Sequence, residues 1–200
     1  MKHQGPPSVA LSRKGANTRA SLLDAAFTLI AERGIHGVTV AQVCGATGLK
    51  RSSFYTHFKD LDDLISALSK RILDDFGRGS NIGDIEKHHS LLKSRIDFVF
   101  AETERTPALG NVIHELVFSD FKRFEAVLER VLGDVKHDVQ RGVFSIEVDE
   151  APAFAHMITA TTVSLFKTSK SHWGTQLNGH ETINLLLSAG GLKKTLDLRD

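Results

Sequence analysis

Cysteine is nearly absent from this 200-residue chain: Cys44 is the single one. One thiol excludes an internal disulfide and a zinc site built from several cysteinates, and it favours a reducing compartment. Long apolar runs are absent too. No stretch approaches the ~18 residues that would span a bilayer. The N-terminal MKHQGPPSVALSRKGAN lacks the apolar centre of a secretory signal and reads as a flexible basic arm over 1–16. A cytoplasmic protein with no membrane partner is expected. Strand signals are scarce, the strand-like stretch being the short GVFSIEV, 142–148. Catalytic signatures are missing: there is no HExxH, no Gly-x-Ser-x-Gly and no phosphate-binding glycine loop. Seven histidines follow residue 60, but no two stand three or four apart on one helix. Glu86/His89 and Asp134/His137 are acid–histidine pairs at helical spacing, and both read as solvated faces. The expectation is therefore no enzyme, no cofactor and no metal.

What is present is an ordinary globular composition, 41% hydrophobic and 24% charged, with length enough for one or two domains with a real core. The net charge of +1 hides an asymmetry. Residues 1–60 carry eight Lys/Arg against three acids, a surplus of +5, whereas 61–200 carry 17 bases against 21 acids, or −4. A basic first part on a mildly acidic remainder suits a polyanionic partner for that first part.

Helical periodicity dominates. Leu22, Leu23, Ala26, Phe27 and Ile30 share one face of a first helix, with Asn17 or Thr18 to cap it and Gly34 to end it. A second starts at Thr39 and runs to about Ala46, a third covers roughly 50–57, and Asp60 caps a fourth that carries Leu64, Ile65, Leu68, Ile72 and Phe76. Gly77 and Gly79 then open GRGSNIG, 77–83, the best candidate hinge. Further helices are expected over 84–104, from Thr106-Pro107 to about Ser119, over 120–141 with apolar residues at 121, 124, 128, 131 and 135, from Asp149 and Pro152 to about Ser169, and over 180–189.

Two short helices around Thr47-Gly48 raise a helix-turn-helix reading. Counted from Val40, Val43 is apolar at position four, Cys44 is small at five where the helices approach, Gly48 falls at nine where the turn needs positive φ, and Leu49 and Phe54 are apolar at ten and fifteen. Cys44 has a redox-sensing reading and a structural one; the structural one, a small apolar filler, is the ordinary role of a buried free thiol. On the third helix Phe54 and Phe58 share the inner face. Ser52, Ser53, Tyr55 and Thr56 point away from Phe54, and Lys50 and Arg51 stand at its start. Small side chains allow close approach to base edges, and the donors suit phosphates. A solvated amphipathic helix would share this polar face.

The stretch TRASLLDAAFTLIAERGIHGVTVAQVCGATGLKRSSFYTHFKDLDDLISAL, 18–68, resembles the DNA-binding domain of TetR/AcrR-type transcriptional regulators. Ala25-Ala26, Glu32-x-Gly34, Thr39-Val40, Gly48-Leu49, Phe54-Tyr55-x-His57-Phe58 and Leu64 carry the match. The resemblance implies phosphate contacts by Thr39, Tyr55, His57 and Lys59, with Lys50, Arg51, Ser52 and Ser53 facing the major groove or its rim. Lys50 stands where the family often has Ser or Thr, and Leu61 where it often has Lys. The implied fold is all-α with about nine helices: a helix-turn-helix DNA-binding domain over 17–77 (motif about 39–58) and a helical effector-binding and dimerisation domain over 78–200.

Nine of the twelve phenylalanines lie after residue 60, and most must be core. The resemblance implies an effector cavity among these helices, for which Phe98, His114, Phe118, Phe154, Met157 and Phe166 are candidates by pattern, with Trp173 over an opening. The expected function is a ligand-responsive DNA-binding regulator, a repressor that binds a near-palindromic double-stranded DNA operator as a homodimer and is released by a small-molecule effector. The dimer would pair the helices near 152–169 and 180–189. The alternative is a small-molecule-binding or sequestering protein with a vestigial DNA-binding head.

Overall fold

Apolar residues at 3–4 spacing become the buried faces of helices throughout residues 13–79, 90–168 and 179–191, which the computed structural model describes. Nine α-helices occur among the described residues: α1 (Arg13–Arg33), α2 (Val40–Thr47), α3 (Arg51–Tyr55), α4 (Leu61–Gly79), α5 (Leu91–Arg105), α6 (Pro107–Ser119), α7 (Phe121–Gln140), α8 (Ala151–Thr168) and α9 (Gly179–Ala189), with a 3-10 turn at Ile35–Gly37. Among the described residues no helix is long and apolar enough to cross a membrane.

The first four helices form a head. α1 buries Leu22, Leu23, Ala26, Leu29 and Ile30 against α2 and α4, and the Arg19 guanidinium lies 4.9 Å above the buried Phe58 ring. This helix begins at Arg13, ahead of the expected cap at Asn17; nothing in Arg-Lys-Gly-Ala stops a helix beyond the ~1 kcal/mol cost of one glycine. Thr39 caps α2 by accepting the Gln42 N–H at 3.3 Å. Asp60 caps α4 by accepting the Asp63 N–H at 2.8 Å, while the Asp63 carboxylate accepts the Lys59 N–H at 2.9 Å. This reciprocal pair satisfies donors that a helix start leaves open. α4 then continues through Gly77 to Gly79 instead of stopping there. The remainder of the 77–83 hinge candidate lies outside the described residues.

Two long-range contacts shape the body. Ser90 caps α5 locally, and the fully buried Asp138 caps it from α7, accepting the Ser90 hydroxyl at 2.7 Å and the Leu91 and Leu92 N–H groups at 3.0 Å each. Residues 142–148 form no strand. Val143 N–H closes α7 on the Asp138 carbonyl, Phe144 packs its ring 5.3 Å from that of Phe154, and the Ser145 hydroxyl donates to the Gly191 carbonyl. With no strand among the described residues to pair with, the apolar alternation there serves packing.

The buried cluster around the head does not stop at α4. It takes in Val112, Ile113, Leu116 and Val117 of α6 and Val163 of α8, whereas a second cluster joins α5, Val135, Phe144, α8 and α9. Polar bridges reinforce the junction. Glu115 on α6 accepts the Ile35 N–H at 3.1 Å, the buried Arg123 guanidinium on α7 meets Asp62 at 2.6 Å, and Arg130 on α7 donates to the Leu73 carbonyl of α4 at 3.3 Å.

Candidate nucleic-acid interface and an internal cavity

α2 and α3 meet at a tight turn. Gly48 adopts φ 68°, ψ 14°, a left-handed conformation that glycine enters without steric cost, and Leu49 N–H returns to the Cys44 carbonyl at 3.0 Å. Val43, Cys44 and Phe54 are buried together in the head cluster. Cys44 is thus the small filler between helices that its spacing predicts.

This packing turns the polar residues outward. Lys50 is the N-cap of α3 and makes no side-chain cap bond. Lys50, Arg51, Ser52, Thr39 and Lys59 are exposed, and Ser53 and His57 are half-buried. Tyr55 is 57% exposed although its ring rests edge-on against buried Phe54 at 5.3 Å. The Thr39 hydroxyl donates to the Gln42 side-chain oxygen at 2.8 Å; a phosphate oxygen can take that acceptor's place. His57 Nδ1 is buried with no hydrogen-bond partner among the described residues. Among the described residues no ion pair holds Lys50, Arg51 or Lys59. Of the nearest acids in sequence, Asp60 and Asp63 are engaged in capping α4 and Asp62 is paired with Arg123. α3 ends at Tyr55, short of the expected 57. The face offers cations, hydroxyls and an aromatic phenol on a helix anchored by Phe54 and, just past its end, by Phe58, the chemistry a helix needs to sit in a major groove.

The body holds a partly open cavity of about 120 Å³ between α4, α5, α6, α7 and α8. Ile72, Phe76, Ile96, Val99, Val131, Ile158 and Phe166 supply apolar wall, and Arg95, Arg130, Asp134, Thr159 and Thr162 supply polar groups. Arg95 Nε lies 2.7 Å from Asp134 Oδ2. Asp134 is 5% exposed, and burial pushes its carboxyl above the ordinary range although Arg95 and Arg130 act the other way. The Thr159 hydroxyl donates to the Ala155 carbonyl at 2.8 Å.

The family model for "Bacterial regulatory proteins, tetR family" matches residues 22–68. The HTH-type transcriptional repressor KstR2 of Rhodococcus jostii (strain RHA1) is 38% identical over 160 residues, which cover 74% of this chain and 78% of that protein. The chain belongs to the TetR family. It is a DNA-binding transcriptional regulator and not an enzyme. Solved TetR-family structures share its fold. SmeT, the repressor of the Stenotrophomonas maltophilia multidrug efflux pump SmeDEF, superposes with a TM-score of 0.68 at 17% identity, covering 91% of this chain and 96% of that one. The complex of SmeT with triclosan does so with a TM-score of 0.68 at 17% identity, covering 92% and 98%.

Of the effector candidates read from the sequence of this TetR-family chain, Phe166 lines the cavity. Phe98 stands behind the wall, its ring 6.2 Å from that of Phe76. His114 packs on the exposed Phe118 at 4.9 Å, Phe154 is committed to Phe144 in the second cluster, and Met157 is exposed on α8. Trp173 lies outside the described residues. Aromatic content marks a helical body but not the side of each helix that faces the space. Asp134, read as part of a solvated face, is instead buried and paired with Arg95; Glu86 and His89 lie outside the described residues. The pattern did hold a signal. Asp134 continues the stripe of Leu128 and Val131, Arg95 sits between Leu92 and Val99 on the apolar face of α5, and a charge in such a register is turned inward.

Proposed function

We propose that the protein is a one-component repressor that binds a near-palindromic operator as a homodimer and is released by a small-molecule effector held in the body. The observation that carries this reading is the outward face of α3, where Lys50, Arg51, Ser52 and Tyr55 stand in solvent on a helix fastened by Phe54 and Phe58. Ser53 joins the groove face, and Thr39, Tyr55, His57 and Lys59 extend the contact to the flanking phosphates.

Pairing through α8 and α9 is supported by an exposed stripe on α8. Ala153, Met157, Ala160 and Ser164 follow one another at spacings of 4, 3 and 4; the two alanines and the serine are small enough for close helix approach, and Met157 (39% exposed) and Leu185 on α9 (71% exposed) offer apolar surface. Four such helices make a bundle, and two recognition helices then reach successive major grooves ~34–36 Å apart. The effector reading is supported by the cavity beside α4, and by the triclosan complex of the fold relative SmeT. A regulator of this kind works in the cytoplasm, beside its DNA. The working division is a head over 17–77 that reads DNA and a body over 78–200 that senses and dimerises.

The test is selection of duplexes from random sequence by the full chain, followed by anisotropy titration across salt concentrations. A near-palindromic consensus and a log K that falls by ~0.9 per phosphate neutralised are expected. Failure to select any duplex, together with an unchanged cellular effect of the Arg51→Ala, Tyr55→Ala double variant, would instead indicate a ligand-sequestering protein with a vestigial head.

A further inference from the structure

The cavity wall is overwhelmingly apolar, and the few polar side chains at its edge limit the charge of what it holds. Arg95, Arg130 and Asp134 are the charged side chains among the described residues that line it, leaving one positive charge in excess. Arg95 is paired with Asp134 at 2.7 Å, and Arg130 stands one helical turn before Asp134 on α7. Thr162 lines the same space from α8, and its buried hydroxyl has no hydrogen-bond partner among the described residues. A buried polar atom so placed is unfavourable unless something else supplies a partner. The remaining wall is largely apolar, and the volume of about 120 Å³ is close to the roughly 150 Å³ of an apolar cavity that admits benzene. A matching ligand has a compact apolar body and one singly charged, planar group that accepts guanidinium N–H donors side by side. A phosphate monoester, with nearly two charges, exceeds the one in surplus.

Arg130 also faces α4. Its Nη1 donates to the Leu73 carbonyl at 3.3 Å, and its guanidinium lies against Gly77, where an added Cβ would collide with it. α4 in turn carries Leu64, Ile65 and Leu68 into the head cluster. A carboxylate competes well with a peptide carbonyl for this group, because a charge-assisted hydrogen bond is roughly twice as strong as a neutral one.

We propose that the cavity takes a small monocarboxylic acid with a ring-sized or short-chain apolar body, its carboxylate held by Arg95 and Arg130 and by the Thr162 hydroxyl, and that Arg130 transmits occupancy by leaving the Leu73 carbonyl and loosening α4. The proposal deepens the effector reading of the same cavity and rests on it.

Isothermal titration of the full chain with benzoate and hexanoate, against benzamide and hexanamide of matching shape, tests the ligand class. The acids should bind at least about tenfold more tightly than the amides. Thr162→Val should weaken acid binding severalfold while leaving the melting temperature unchanged or higher, because it removes a hydroxyl without a partner. Equal affinity for amides, or no binding of either acid, overturns the assignment. Release of a duplex selected by the full chain tests the transmission step. Saturating acid should release it, and Gly77→Ala, which displaces Arg130 without removing its charge, should weaken duplex binding with no ligand present. Arg130→Lys should still bind acid but release the duplex less completely. Acid binding without release overturns the Arg130 step and the effector reading while upholding the ligand class; amides that bind and release uphold the effector reading and overturn the carboxylate.

Discussion

Around α3 the charged and aromatic side chains stand in solvent on a helix anchored by Phe54, whereas on α7 two carboxylates turn inward: Asp134 pairs with Arg95 beside a cavity, and Asp138 caps α5. The two regions are built from the same kind of amphipathic helix, yet they separate stability from function in opposite ways. In the head, the residues that hold the fold and those proposed to meet DNA lie on different faces, so one set can change while the other stands. In the body, the polar residues of the cavity are also part of the packing, and a substitution there alters both.

The largest expected effect is at the anchor. Phe54→Ala removes a fully buried ring and should lower unfolding free energy by about 3–5 kcal/mol in a denaturant titration. Asp138→Ala, which strips three acceptor contacts from the start of α5, should cost about 3 kcal/mol in the same assay; a loss near zero would place the hold on α5 elsewhere. Arg51→Ala carries the contrast. It should reduce duplex affinity by about 1–3 kcal/mol with no change in melting temperature, and a matching fall in stability would break the distinction between the two regions. The smallest effect concerns Asp134. Burial raises its carboxyl in the folded state above its unfolded value, so the folded protein holds that proton more tightly. Its contribution is most favourable below the unfolded carboxylate range and is lost as pH rises through the raised folded value. Acidification should therefore stabilise the wild-type protein relative to Asp134→Asn in paired denaturation curves.

The head was legible because its requirements are local. Thr39 caps the helix it precedes, Gly48 takes the positive φ its place in the turn demands, and Asp60 caps α4, all within a few residues of chain. The cavity was not. Of the residues expected there from aromatic content, Phe166 lies on its wall, while Arg95, Arg130, Asp134 and Thr162, which give it its polarity, were passed over. Position 142–148 shows the same limit, since alternation of apolar residues cannot say whether a strand neighbour exists.

The sequence by itself determined the helical class, the turn between α2 and α3 and the side of α3 left exposed, because each follows from spacing along a single segment. Only the tertiary structure decided that Asp138 caps a helix that begins 47 residues earlier, that Arg130 reaches Leu73, and that five helices leave a partly open space lined by two arginines and one aspartate. Those features arise where helices cross, and helix periodicity sets which face is buried but not which neighbour buries it.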